Sequence, residues 1–192
     1  TETYTDTDLQ QENYFYRLKA TNTIGVSPAS NTVQSEDYRA ETQNIVYVSA
    51  TGTGNMDGTS VENAFGNFGA ALNNITSEGD KLIVIGTITP DGANLNSKNF
   101  AFTIEGLDVS STLAGNGGTA RLFTINGATS ADVTFKNLTF LNNTTTLAGG
   151  GVFFNNNAGA SATFENCTFT GNSVTNNAGG GVILASNGNL TI

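Results

Sequence analysis

Apolar and polar residues alternate along the second half of the chain, and the alternation recurs in whole units. The segment 132–143 is followed by the word Gly-Gly-Gly-Val, and the segment 162–172 is followed by the same word. Phe135 and Phe164 hold the same place in the two units, which gives a period in the range typical of solenoid repeats. A single unit of strands cannot bury its apolar face alone, so this period predicts a solenoid of stacked copies.

The same pattern extends on both sides of these two units. Ile104 precedes Phe135 by one such period, and Ile192 follows Phe164 by one, so each begins a further copy. The side chains of a strand point alternately to its two faces, which gives every aligned column one face. The pattern predicts these inward columns: Ile104, Phe135, Phe164 and Ile192; Leu107, Leu138 and Cys167; Phe140 and Phe169; and, in a second family of strands, Ile125, Phe154 and Leu184.

The second family of strands also predicts an exposed apolar stripe. Its outward positions, which alternate with the inward ones, are Thr124, Phe153 and Ile183. Two large apolar side chains would then stack on one wall, and an exposed apolar patch often marks a contact surface. The alternative is that the loop 155–160 covers this wall. The stripe is the first candidate site for ligand contact.

The outward column at the end of the first family of strands alternates in charge. It contains Glu105, Lys136 and Glu165 in successive copies. Neighbouring strands of a sheet are about 4.8 Å apart, so the three side chains are predicted to lie close enough to form ion pairs. This charge column is the second candidate surface feature.

Two asparagines follow the charge column directly. Asn137 and Asn166 fall where one strand ends and the next begins, which predicts a bend. Asn tolerates the backbone of tight turns, and its amide both donates and accepts. We therefore expect their side chains to hydrogen-bond from copy to copy.

The first half of the chain divides into three regions. Residues 1–35 are predicted to be the end of a β-sandwich, residues 36–43 a polar linker, and residues 44–192 the start of the solenoid. The solenoid segment opens with a strand at 45–49. The capping box Thr59-x-x-Glu62 then predicts a helix, whose apolar residues fall on one face.

Composition narrows the class of protein. The 192 residues carry 7 Lys and Arg against 16 Asp and Glu, a net charge of −9, which argues against nucleic acid as a partner. There is one Cys and no His, so no internal disulfide is expected.

No apolar run in the sequence approaches the roughly 20 residues of a membrane span. The chain begins at Thr1 with neither Met nor a signal sequence, which suggests an excerpt of a longer, exported protein.

No residue is predicted to be catalytic, to bind a cofactor or to bind a metal. A hydrolase or lyase needs paired or clustered carboxylates, and the outward Glu and Asp residues of the copies do not align in neighbouring strands. The segment Asn55 to Gly58 lacks the alternating acids of a calcium loop, which favours an ordinary turn. Cys167 shares the inward column of Leu138 and is predicted to be a buried, unreactive thiol.

The first 35 residues resemble the last strands of a fibronectin type III domain. The resemblance rests on the alternating segment that starts at Tyr14 and on Leu9, which with Tyr14 is similar to the tyrosine corner of that fold. It implies a β-sandwich of which only the C-terminal part is present.

The remaining residues resemble two related groups of proteins. The stretch 47–71 is similar to the start of pectin-lyase-like right-handed parallel β-helices, in which a short helix caps the open end. The words Phe140-x-x-Asn143 and Phe169-x-x-Asn172, each followed by Gly-Gly-Val, resemble the repeat of polymorphic outer-membrane proteins. These resemblances imply an all-β, right-handed parallel β-helix with an N-terminal capping helix, displayed on a bacterial surface.

The function expected from these observations is structural or adhesive. The protein would be extracellular or attached to the bacterial outer membrane, and would present a rigid face to a glycan or protein ligand. The alternatives are a polysaccharide lyase or glycoside hydrolase whose active site lies in other coils, and a plain carbohydrate-binding module. The sequence leaves the oligomeric state and the identity of the ligand open.

Overall fold

The computed structural model describes residues 15–16, 21–22, 25–26, 33–34, 43–90, 92–115, 120–126, 130–147, 151–175, 182–185 and 187–192. The chain forms two compact units, Thr1–Thr42 and Gln43–Ile192. In the first unit, β1 (Phe15–Tyr16) pairs antiparallel with β4 (Val33–Gln34), and β2 (Thr21–Asn22) pairs antiparallel with β3 (Gly25–Val26). The pair Leu9 and Tyr14 lies outside the described residues, so its predicted role stays a prediction.

The second unit consists almost entirely of short strands. In chain order its elements are β5 (Ile45–Ser49), a 3-10 helix (Val61–Asn63), α1 (Phe68–Asn73), β6 (Lys81–Ile85), β7 (Thr87–Ile88), β8 (Ala93–Asn94), β9 (Ala101–Gly106), β10 (Thr112–Ala114), β11 (Phe123–Ile125), β12 (Asp132–Lys136), β13 (Thr139–Leu141), β14 (Thr144–Thr145), β15 (Phe153–Asn155), β16 (Ser161–Glu165), β17 (Thr168–Thr170), β18 (Ser173–Val174), β19 (Ile183–Ala185) and β20 (Asn189–Thr191).

These strands form three main sheets, all of them parallel. Sheet I has the order β20-β16-β12-β9-β6-β5, sheet II the order β17-β13-β10-β7, and sheet III the order β19-β15-β11-β8. From β6 onward the chain contributes one strand to sheet I, then one to sheet II, then one to sheet III, and returns to sheet I. The short strands β14 and β18 pair with each other between sheets II and III. We call each such passage a circuit.

The register of sheet I agrees with the alignment predicted from the sequence. Phe135 lies opposite Ile104 on one side and Phe164 on the other. The rings of Phe135 and Phe164 stack with centroids 4.9 Å apart, and those of Phe140 and Phe169 do the same. The inward position of these columns is confirmed, because Phe135, Phe140 and Ile104 are fully buried.

The helix begins later than the capping box predicts. Its N-cap is Asn67, whose side chain accepts a hydrogen bond from the amide of Ala70, while Val61–Asn63 forms only a 3-10 helix. The reason is that Phe65 pairs with β5: its amide donates to Tyr47 O, and its carbonyl accepts from the amide of Ser49. The predicted apolar face is nevertheless buried, on Phe68, Ala71 and Leu72.

Two residues with predicted inward positions are exposed. Leu107 is 45 % exposed, because the whole segment 107–111 separates β9 from β10, whereas only Asn137 and Leu138 separate β12 from β13. Ser111, which is buried, takes the interior position beside Leu138. Ile192 is also exposed; it follows β20 and pairs with no described strand.

Candidate functional site

The predicted apolar stripe does not exist as such. Phe153 is fully buried and lies opposite Phe123 and Ile183, and Ile183 packs against the same core. Thr124 is half-buried and pairs instead with Phe154. The side chain of Phe154 lies outside the described part of the chain. The assignment of Thr124, Phe153 and Ile183 to one outward stripe is therefore wrong.

The error is a slip of one position in the alignment of sheet III. Ile125 pairs with Asn155, so the connection from Asn155 to Ala162 is shorter by one position than the connection from Ile125 to Val133. A slip of this kind moves every side chain of a strand to the opposite face.

The sequence contains a signal for the correct register. Asn96, Asn126 and Asn156 recur at a constant interval along the chain. In the structure the side chain of Asn96 accepts from the amide of Asn126 and donates to its carbonyl oxygen. Asn187, one further circuit along the chain, donates to Asn156 Oδ1 at 2.5 Å. Aligning these asparagines rather than the apolar residues places Phe153 in the core.

The charge column does come together in sheet I. Lys136 lies opposite Glu105 and Glu165, and its Nζ is 3.1 Å from Glu165 Oε2. Glu105 also pairs with Lys81, at 3.7 Å. The hydrogen bond to Glu165 raises the pKa of Lys136, and the charges of Glu165 and Glu105 act in the same direction. The side chains of Lys136 and Glu165 are about half exposed.

We expect Lys136→Glu to lower the melting temperature, because three carboxylates would then follow one another in one exposed column. The decrease should shrink in high salt, which screens exposed charges. Thermal unfolding followed by circular dichroism at two salt concentrations measures both effects. Lys136→Gln is the matched control, since it removes the ion pair without adding a carboxylate. Equal melting temperatures for the two variants at low salt would contradict the prediction.

The predicted asparagine ladder is confirmed at the bend between sheets I and II. Asn166 Nδ2 donates to Asn137 Oδ1 at 2.8 Å, and Asn137 Nδ2 reaches Glu105 Oε1 at 3.4 Å. Both asparagines have a positive φ, 54° at Asn137 and 50° at Asn166. Asn adopts this left-handed conformation at lower cost than most residues, which explains why it occupies the bend.

Asn137→Ala is expected to destabilise the second unit by about 1 kcal/mol or more, because alanine adds left-handed strain and loses the ladder hydrogen bonds. Asn137→Gly should cost less, since glycine removes the strain but not the loss of the amide. Urea unfolding of both variants, followed by circular dichroism, separates the two contributions. The explanation fails if the glycine variant is the less stable of the two.

A groove of about 380 Å³ lies beside this ladder, next to the insertion after β9. One wall is the inserted loop and the other is the bend of the two following circuits. Amides and hydroxyls alternate there with aliphatic side chains. Its lining consists of Gly106, Leu107, Asp108, Val109, Asn137, Leu138, Thr139, Asn166 and Thr168.

The inserted loop is held in place by its own hydrogen bonds. Asp108 Oδ1 accepts from the amide of Ser110 at 2.8 Å and from its hydroxyl at 2.6 Å, and these bonds lower the pKa of Asp108. Ser111 Oγ donates to Val84 O at 2.9 Å, which fastens the loop to β6. Val109 is fully exposed at the tip. The loop thus presents Leu107 and Val109 to solvent at fixed positions.

The described residues offer little for acid–base or metal chemistry. Within the described ranges, no three His, Cys, Asp or Glu residues are grouped to hold a metal ion. Asp57 accepts from the amide and hydroxyl of Thr59, which closes a turn at this segment. Cys167 is partly buried against the core; burial raises the pKa of its thiol, and Sγ donates to Phe135 O at 3.4 Å.

Two buried charged side chains, those of Lys98 and Asp80, lie outside the columns of the repeat and could not be predicted from it. Lys98 Nζ donates to the carbonyl oxygens of Leu72 and Ile75 at the end of α1, at 2.8 and 2.5 Å. Asp80 accepts from three backbone amides in the turns around it, those of Asn44, Thr76 and Ser77. Burial lowers the pKa of Lys98, and the charge of Asp80 opposes that shift. These contacts join α1 to the first circuits and have a structural role.

No protein-family model, curated protein or solved structure matches this chain. Among the described residues, no helix is both long and apolar enough to cross a membrane.

Proposed function

We propose that the second unit is a right-handed parallel β-helix whose first coil is closed by α1. The repeated order of sheets I, II and III along the chain supports this, as does the similar length of chain between the strands that pair in the later circuits. Phe68 of α1 packs edge-on against Phe123 of sheet III, with ring centroids 5.7 Å apart. The helix therefore fills the interior beside β5, where a cap would lie.

We further propose that this β-helix is a structural or adhesive protein outside the bacterial cell, which presents its outer walls to a glycan or protein. The observation that carries the proposal is the chemistry of those walls. Outward threonines lie in register on four successive strands of sheet I, and asparagines line the bends. Among the described pairs that β12 makes with β9 and β16, the outward carboxylates face Lys, Ser or Ala and never a second carboxylate. Such walls suit hydrogen bonding better than proton transfer.

Two finer identifications belong to the same proposal. The antiparallel pairing of β1 with β4 and of β2 with β3 fits the final strands of a fibronectin type III domain, which would act as a spacer.

The Asn residues of the two Phe-x-x-Asn words hydrogen-bond between circuits: Asn172 Oδ1 accepts from the amide of Asn143 at 3.0 Å. This hydrogen bond supports the proposal that the two words are copies of a repeat similar to that of polymorphic outer-membrane proteins.

The test compares binding with turnover. The chain is incubated with immobilised neutral and acidic polysaccharides, while new reducing ends and the absorbance of unsaturated uronates are followed. The adhesive proposal predicts retention on at least one polysaccharide and no product. Product formation by the chain would overturn it and favour a polysaccharide lyase or hydrolase, and so would retention on none of the polysaccharides together with no binding to extracellular matrix proteins.

A further inference from the structure

We propose that the groove between the inserted loop 107–110 and the Asn137–Asn166 ladder binds a short stretch of uncharged glycan. This inference rests on the proposed binding function of the β-helix walls and deepens it by naming the site and the ligand class. The groove has the two kinds of surface that a sugar ring presents. A pyranose offers hydroxyls around its edge and C–H groups on its faces, so it needs hydrogen-bonding partners together with apolar contact.

The polar half of the groove comes from the two circuits that follow the loop in the chain. Asn137 and Asn166 use one amide N–H each within the ladder, Asn166 to Asn137 and Asn137 to Glu105. A primary amide has two N–H groups and two lone pairs, so both residues keep capacity for a ligand. Thr139 and Thr168 also line the groove and lie opposite each other in sheet II, which repeats the hydroxyl at the spacing of neighbouring strands.

The apolar half comes from the insertion. Leu107 and Val109 are 45 % and 102 % exposed, which is unusual for aliphatic side chains on a wall otherwise rich in Thr and Asn. Asp108 and Ser110 close the loop by hydrogen bonds, and Ser111 anchors it to β6. A loop that is already ordered loses little entropy on binding, so its exposed aliphatic side chains can contribute to affinity.

The negative charge of the groove disfavours acidic glycans. The lining residues that the structure describes include Asp108 and neither Lys nor Arg. Hydrogen bonds from Ser110 lower the pKa of Asp108, so its carboxylate stays charged at neutral pH. Glu105 stands at the edge of the groove beside Asn137, and Lys136 next to it already pairs with Glu165. A uronate or sulfated sugar would meet the carboxylate of Asp108 here, with no Lys or Arg in the described lining to offset it.

Size favours a glycan over a protein partner. A stable protein interface buries about 800 Å² on each side and is anchored by aromatic residues or Arg. This groove is a concave site of about 380 Å³, and its described lining contains neither. That volume lies at the small end of ligand pockets, which suits one or two sugar residues.

The experiment is a titration of the isotope-labelled chain with cellotetraose, maltotetraose and mannotetraose, each followed by NMR of backbone amides, Asn side-chain amides and methyl groups. Tetragalacturonate is the acidic counterpart. We expect at least one neutral tetrasaccharide to shift the Asn137 and Asn166 amides and the methyls of Leu107 and Val109. Val109→Ser should weaken that binding several-fold without changing stability, because Val109 is fully exposed. Leu147→Ser is the matched control, since Leu147 is a 44 % exposed aliphatic residue that does not line the groove, and it should bind like the parent chain.

A second variant tests the charge argument. Asp108→Asn keeps an acceptor for Ser110 while it removes the carboxylate charge, so tetragalacturonate should bind this variant more tightly than the parent chain. Shifts at the groove with a neutral tetrasaccharide, lost in Val109→Ser, support the proposal. Three results overturn it: shifts confined to another wall, preference of the parent chain for tetragalacturonate, or no shift up to about 10 mM of any of the four sugars. Shifts on another wall or a preference for tetragalacturonate would rule out this groove or ligand class but leave the proposed surface-binding function intact. Retention on no polysaccharide and no matrix protein in the preceding test would contradict both that function and the glycan site.

Discussion

Phe135→Ala is expected to lower the free energy of unfolding of the second unit by about 3–5 kcal/mol, the range for truncating a fully buried phenylalanine. Phe135 is fully buried at the centre of the aromatic core. Its ring lies 4.9 Å from the rings of Phe123 and Phe164 and within 5.8 Å of those of Phe140 and Phe153. Because these rings come from all three sheets, the cavity cannot be closed by moving one strand alone.

Urea unfolding followed by far-ultraviolet circular dichroism measures this loss. Phe169→Ala is the matched control, since Phe169 stacks on Phe140 at 4.9 Å but is only partly buried. It should cost clearly less than Phe135→Ala. An equal loss for the two variants would mean that Phe135 is not the centre of the core.

Lys98→Ala should be the second most damaging change, with a loss of about 2–4 kcal/mol. Removing the ammonium group leaves the carbonyl oxygen of Ile75 without its donor, and a buried acceptor that loses its partner costs about 1–3 kcal/mol. The carbonyl oxygen of Leu72 also loses the lysine but still accepts from the amide of Ile75. Amide hydrogen exchange of Asn74 and Ile75, at the end of α1, should accelerate more than exchange in β12. Lys98→Met separates the loss of the hydrogen-bond donor from the loss of side-chain packing, because it keeps the aliphatic stem and removes the ammonium group. Lys81→Ala is the surface control and should change stability little.

The same lysine predicts a dependence on pH. Burial lowers the pKa of Lys98 below its value of 10.5 in the unfolded chain. Between those two values the unfolded chain holds the proton and the folded chain does not, so stability contributed by this group rises with pH in that alkaline interval. Below the folded pKa the cost of burying the charge is present in full. Relative to Lys98→Met, the parent chain should gain stability as pH rises through the interval, and a difference that falls with pH would contradict this assignment.

The sequence alone can predict those parts of the fold that obey a strict period. Phe135 and its partners Ile104 and Phe164 are placed correctly because alternation within a strand and recurrence between circuits agree there. Leu107 and Phe153 are misplaced because the lengths of the bends vary. The insertion after β9 moves Leu107 out of the repeat, and the shorter connection before β16 reverses the face of Phe153.

The candidate site can be predicted only in part, for the same reason. The ladder of Asn137 and Asn166 follows from the repeat, but the groove arises where the repeat is interrupted, so periodicity gives no signal for it. Lys98 belongs to no column at all. Its role depends on the position of α1, because its ammonium group donates to the carbonyl oxygens of Leu72 in the helix and of Ile75 just after it, 26 and 23 residues away along the chain.

The short separation in sequence between paired strands has a kinetic consequence. Among the described residues of the second unit, each pair of parallel strands joins neighbouring passes of the chain, from Lys81 and Thr103 at the short end to Ile45 and Lys81 at the long end. Closing a loop of this size costs nearly the same entropy wherever it occurs along the chain. In the proposed β-helix, each later circuit adds to the edge of the one before it once a first pair of circuits has formed, so folding proceeds from circuit to circuit. A longer chain of such circuits should then fold in a time set by the first pair and by the number of additions, since no contact becomes more distant in sequence as circuits are added.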